Sequence, residues 1–221
     1  MNQEITSLGR EGALSSTQKV LKNTYLLLSM TLLFSAATAG VSMALNMPHI
    51  VSLGTFVAAL ILLWFVVPRT ANSASGIYVV FAVTGLLGFG LGPTLNHYLA
   101  LPNGPQLVMT AMGATAAIFL GLSAYVTTTR KDFSFMGGFL AAGILVAFFS
   151  GIVAMLFDMP TLSLAASAAF ALLASGVILY QTSEIIHGGE TNYVLATITL
   201  YVAIYNLFVS LLHLLGFASN D

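Results

Sequence analysis

Seven apolar runs, each about 20 residues long and free of Asp, Glu, Lys and Arg, limit what this chain can fold into more than any other feature. They are Tyr25–Leu45, Ile50–Pro68, Ile77–Leu101, Leu107–Thr127, Phe135–Phe157, Leu162–Tyr180 and Tyr193–Leu215. About 20 apolar residues in a helix cross a bilayer core roughly 30 Å thick. Backbone groups cannot stay unpaired in hydrocarbon, so runs of this length are helices. The alternating pattern of a membrane barrel is missing. Each gap carries a breaker or a charge: Asn46-Met47-Pro48, Arg69 to Ser75, Pro102 to Pro105, Arg130-Lys131-Asp132, Asp158-Met159-Pro160 and Glu184 to Asn192. Ala37-Thr38-Ala39 resembles a cleavage site, yet the chain stays apolar after it, which favours a retained first span. The expectation is an all-α integral membrane protein of seven transmembrane helices. Residues 1–23 would form a mobile polar tail and 24–221 the membrane domain.

Charge sets the orientation. Only 6% of the 221 residues are charged, against about 25% in soluble domains. The six basic residues are Arg10, Lys19, Lys22, Arg69, Arg130 and Lys131. Threading seven spans places all of them on one side, with His49, Asp158 and Asp221 on the other. The positive-inside rule makes the basic side cytoplasmic and puts the C-terminus outside. A net charge of -1 without basic clusters speaks against a nucleic-acid partner. The absence of cysteine removes disulfides, thiol catalysis and thiolate metal sites.

Small residues one turn apart mark faces for close helix packing: Ala36 and Gly40 in the first span, Ser167, Ala171 and Ser175 in the sixth. Gly85, Gly88, Gly90 and Gly92 before Pro93 read as close packing with a kink, or as a broken helix lining a cavity. A nucleotide loop is a poor reading, because the spacing is not G-x-G-x-x-G.

Ionisable groups within a membrane default to functional hypotheses. Here only His97 and His213 lie inside the runs, near the outer ends and without partners at ligand spacing, so no metal site is expected. The richest polar stretch runs from Tyr180 to Tyr193. Gln181 and Glu184 share a face if the sixth helix continues that far. Gly188-Gly189 reads as a helix C-cap and Thr191 or Asn192 as the next N-cap. His187 and Glu190 flank the glycines, but neither the metalloprotease H-E-x-x-H pattern nor a G-x-S-x-G elbow is present, so no catalytic residues, cofactor or enzyme activity are expected. Asn206 in mid-helix calls for an interhelical hydrogen bond. Arg69 either anchors the second span at the interface or pairs with Glu184 to close the cytoplasmic mouth.

Tyr180-Gln-Thr-Ser-Glu-Ile-Ile-His-Gly-Gly, Leu200-Tyr-Val-Ala-Ile-Tyr-Asn-Leu-Phe and Leu214-Leu-Gly resemble the C-terminal signature of the Bax inhibitor-1 family. Ser123-Ala-Tyr-Val-Thr-Thr-Thr-Arg-Lys-Asp-Phe-Ser-Phe-Met-Gly-Gly resembles that family's loop between the fourth and fifth spans. Lys19-Val-Leu-Lys-Asn-Thr-Tyr, Ile186-His-Gly-Gly-Glu-Thr-Asn-Tyr and Gly216-Phe-Ala-Ser are most like its bacterial YccA branch. The resemblance implies a bundle whose last helix is central, wrapped by two three-helix layers. Some members resemble pH-sensitive calcium leak channels that depend on paired aspartates. The matching positions here are Gln181 and Ala203, which removes both carboxylates. The YccA branch implies an inner-membrane partner of the ATP-dependent membrane protease FtsH, as inhibitor, modulator or substrate. A tail of 23 residues would reach about 75 Å when extended, far enough for such a protease to engage. Gln181, Tyr205 and Asn206 keep a cation-conducting alternative open as an uncharged polar lining.

Overall fold

The fold is described by a computed structural model covering the backbone of residues 2–219 and the side chains of 16–219. It is helical throughout: α1 Asn2–Ala44, α2 His49–Thr70, α3 Ser75–Leu99, α4 Gly104–Thr129, α5 Gly137–Leu156, α6 Pro160–His187 and α7 Tyr193–Ala218. Each of the seven is long and apolar enough to cross a membrane, α1 from Ser16 onward and α5 with the short helical turn at Ser134–Met136 that precedes it. The seven runs therefore match seven helices.

α7 is the most buried of them and packs on α1, α3, α4 and α6. α1–α3 form one layer beside it and α4–α6 the other, with α2 and α5 outermost. The last helix is central for a physical reason. Its buried side includes Ala196, Thr197, Ala203, Ser210 and Gly216, small enough to let four neighbours approach.

The glycines of α3 are packing devices, and Pro93 sits inside a continuous helix. A Cβ at Gly88 would run into the Ser35 carbonyl of α1, one at Gly92 into Ser42, and one at Gly90 into Thr55 of α2. On α1 the packing face is Thr31, Ser35, Ala39 and Ser42, all buried, whereas Ala36 and Gly40 are exposed and nothing approaches Gly40. The expected small-residue face is thus displaced by one position. Small residues occur on both sides of α1, and the buried side is the one whose hydroxyl finds a partner across the bundle.

Two helix ends differ from the apolar runs. In α2, Leu62–Val66 form a wider turn in which the Val67 N–H donates to the Leu62 carbonyl. Pro68 follows, has no N–H and would crowd the preceding turn, so the wide turn accommodates it. α6 runs seven residues beyond Tyr180, so Gln181 to His187 are helical. Residues 16–23 of the expected tail belong to α1, where Val20 and Leu21 lean on the core. The tail over residues 1–15 lies outside the described side chains.

Candidate functional site at the basic end of the bundle

Arg69, Arg130 and Lys131 share one end of the bundle with the α6–α7 turn. There the chain closes α6 as its residue types dictate. Gly188 has φ +80, the left-handed geometry that glycine supplies without a Cβ penalty. The N–H groups of Gly189 and Glu190 donate to the Glu184 carbonyl at 2.9 and 3.1 Å. The Glu184 carboxylate curls back over Gly189, where a Cβ would collide with it. Asn192 then caps α7: its Oδ1 accepts from Val194 and Leu195, at 2.9 and 3.3 Å. Its Nδ2 donates to the Ala71 carbonyl and to Asn72 Oδ1, at 3.0 and 2.8 Å. Glu190 Oε1 accepts from the Asn192 N–H at 2.7 Å. One amide thus starts α7 and fastens it to the α2–α3 turn.

A second tie joins the α4–α5 loop to α6. Ser183 is fully buried, and its Oγ accepts from the Phe133 N–H at 2.9 Å. Asp132 Oδ1 accepts from the Ser134 N–H at 2.8 Å, which holds the Asp132 carboxyl below its ordinary range, with smaller help from His187 and Ser183. Lys131 Nζ lies 5.6 Å from the Tyr125 ring centre, and its interaction with that side chain raises its pKa. Arg130 ends α4 at φ +50, a conformation that neighbours must maintain in a residue with a Cβ. His187 does so from α6: its Nε2 is 3.1 Å from the Arg130 carbonyl and its Nδ1 2.9 Å from the Ser183 carbonyl.

Deeper in, Gln181 is 5% exposed, Thr182 and Ser183 are fully buried, and Ala203 is 3% exposed. Gln181 Nε2, Thr182 Oγ1 and Ser123 Oγ are buried without hydrogen-bond partners. Ala203 packs with Ala174, Ile178 and Leu207, against Phe119 and Leu122. Of the two positions that the resemblance aligns with the acid pair, one is therefore a buried neutral amide and the other lies inside an apolar contact. On the opposite flank of α7, Tyr201 bonds Ser35 Oγ at 2.5 Å and donates to the Thr84 carbonyl at 3.2 Å.

The structure brings Gln181, Glu184, His187, Gly188, Gly189 and Glu190 together on α6 and its cap. Arg69 stands apart, exposed and making no ion pair with Glu184 among the described residues. Glu184 is turned to its own glycines instead. Asn206 is half-buried, and among the described residues no hydrogen bond reaches it, so the expected interhelical tie is not formed there. Among the described residues no three His, Asp or Glu side chains group as metal ligands. Ser183 escaped the sequence reading, although its position one turn before His187, on the same face, was visible.

A buried last helix wrapped by two layers of apolar helices defines a polytopic integral membrane protein. Residues 17–220 match the family model described as "Inhibitor of apoptosis-promoting Bax1". The chain belongs to that family, the Bax inhibitor-1 family. It is 51% identical over 221 residues, all of both chains, to an Escherichia coli (strain K12) protein named "Modulator of FtsH protease YccA". A protein of a second E. coli strain, 51% identical over the same length, is named "Inner membrane protein YccA". An uncharacterized membrane protein of Vibrio cholerae is 49% identical over 205 residues, covering 93% of this chain and 92% of that one.

Proposed function

We propose that this chain is a non-enzymatic partner of the membrane protease FtsH in the bacterial inner membrane, and that it restrains the protease during membrane-protein quality control. The observation that carries the reading is the 51% identity spanning the whole of both chains, to a relative named for modulating that protease. Its basic end, with Arg69, Arg130 and Lys131, lies in the cytoplasm by the positive-inside rule, and the C-terminus lies in the periplasm. The polar residues at the start of α1, up to Asn23, then lie on the side where an ATP-dependent protease works. A protease that takes hold of them must next extract α1, which is locked to α3 by glycine contacts and to α7 through Ser35 and Tyr201. That lock supports stalling, and stalling supports inhibition.

The test is co-purification of FtsH with the tagged full-length chain, together with the half-life of a membrane substrate of the protease. Co-purification and a longer half-life on overproduction are expected, and deletion of Met1 to Thr17 should abolish the second effect. Failure to co-purify, with an unchanged half-life, would overturn the reading. The leak-channel alternative has little to stand on, since Gln181 and Ala203 provide no titratable pair and Ile178, Leu207 and Phe119 close the contact beside Ala203. Calcium and proton flux in proteoliposomes of the purified chain should stay at background from pH 5 to 8.

A further inference from the structure

We propose that the groove between α5 and α6 holds an acyl chain of an anionic glycerophospholipid, whose phosphate rests on Arg130 and Lys131. The two helices touch along a seam where Leu140 lies over Gly176 and Leu173 over Gly143. Beside that seam the large exposed side chains Phe139, Val146 and Leu172 stand next to the small Ala142, Ala165 and Ala169. The result is a cavity of about 560 Å³, within the range of roughly 300–1,000 Å³ usual for ligand sites. Its lining includes one hydroxyl, that of Ser150, and none of its described lining residues is charged. From Leu162 to Gly176 the lined stretch of α6 rises about 21 Å, more than half of a hydrocarbon core about 30 Å thick. One leaflet's acyl chain therefore lies in it along its length.

The end of the groove says what kind of chain fills it. Ala165, Ala169, Leu172 and Gly176 recur every three to four residues, and Tyr180, Ser183 and His187 continue the same face of α6. Tyr180 packs on Gly137 at the start of α5. Ser183 and His187 take hold of the α4–α5 loop through the Phe133 N–H and the Arg130 carbonyl. The loop thus crosses the basic end of the groove at Ser183, about 10 Å of helix beyond Gly176, where a headgroup follows its acyl chain. Arg130 and Lys131 are exposed there, and neither makes an ion pair among the described residues. The acidic groups nearby are turned to other partners: Asp132 to the Ser134 N–H, Glu184 to its glycine turn and Glu190 to the Asn192 N–H. A partner helix or a second copy would fill the groove and leave the two cations without a counter-charge. An anionic lipid supplies both. The site requires only that the chain lies in a membrane, and no protease partner.

The test is native mass spectrometry of the full chain, released from nanodiscs of phosphatidylglycerol and phosphatidylethanolamine in equal amounts. A phosphatidylglycerol adduct should survive release and exceed the phosphatidylethanolamine adduct about tenfold, the effect of two cations beside an anionic headgroup. Arg130→Gln together with Lys131→Gln should bring the two adducts close to equality. That variant keeps the contact of His187 with residue 130, which is to the backbone. Ala142→Phe together with Ala165→Phe fills the groove at two exposed positions and should remove the adduct, with thermal unfolding unchanged. Leu120→Phe, exposed on α4 and outside the groove, should leave the adduct as it was. Equal adducts of the two lipids on the unaltered chain would overturn the proposal. So would a phosphatidylglycerol adduct that persists in the filled groove. A two-chain mass that only the filled groove abolishes would assign the groove to a second copy and overturn it as well.

Discussion

The two flanks of α7 are built differently. Toward α1 and α3 it is fixed by directional polar contacts: Tyr201 bonds Ser35 and the Thr84 carbonyl, and Thr197 Oγ1 donates to the Thr24 carbonyl at 3.3 Å. Toward α4 and α6 it meets Ala174, Ile178, Phe119 and Leu122 through Ala203 and Leu207, an apolar contact. Directional contacts define a register, whereas apolar contacts between small residues tolerate sliding. The first flank is therefore the anchor of the bundle. The second is where a change in polarity would be felt most, and it is where a family acid pair would stand.

The largest effect should come from forcing charge into that second flank. Gln181→Asp with Ala203→Asp places two carboxyls where both positions are nearly sealed. A charged group at mid-membrane depth costs about 3 kcal/mol. Carboxyls are neutral in acid and ionise as pH rises, so the penalty grows with pH. Unfolding in detergent should show a double variant close to the unaltered chain at about pH 5 and destabilised by several kcal/mol at about pH 8. Equal stability at both would mean that the flank is already hydrated, and the contrast between the two flanks would fail.

The anchor flank can be broken by volume. Gly88→Ala drives a Cβ into the Ser35 backbone carbonyl, which cannot turn aside as a side chain can. Overpacking of this kind costs about 1–3 kcal/mol. Gly121 on α4 has nothing near its Cβ position, so Gly121→Ala should be neutral or stabilise the helix slightly. Thermal unfolding of the two variants side by side checks the difference. Tyr201→Phe keeps the ring and removes both bonds of its hydroxyl; about 1 kcal/mol should be lost, with Ser35→Ala in the same background adding little more. Full additivity of the two would show that the bond contributes nothing.

What was legible beforehand follows the same division. Seven spans were legible because charge-free length is a property of composition along the chain, and it needs no partner. Gly188 and Asn192 were legible as caps because capping is local chemistry. Contacts between helices were not. Ala36 and Gly40 carry the same small-residue signal as Ser35 and Ala39, and only the position of Tyr201 on a distant helix selects between them. Asn206 looked like a tie because an amide in hydrocarbon needs a partner, but its surroundings offer none. The polar run after Tyr180 marked the end of a span by composition, yet Gln181 to Ser183 face inward and the helix carries on. Arg69 and Glu184 have opposite charge, and Glu184 is already occupied by its own glycine turn.

The smallest effect belongs to Asp132, and its sign is fixed by the direction of its shift. The Ser134 N–H lowers its pKa on folding, so the folded chain prefers the ionised form more than the unfolded chain does. The resulting stabilisation is present above the ordinary carboxylate range and is lost as pH falls through the lowered value, below about pH 4. Since Asp132 is exposed, the loss is local: the loop over 131–134 should exchange faster in acid while α7 keeps its protection. Asp132→Asn still offers Ser134 an acceptor but no charge, so its loop should exchange at a rate that no longer changes in acid. If α7 loosened together with the loop, the tie at Ser183 would be part of the anchor after all, and the basic end would have to be counted with the α1–α3 flank.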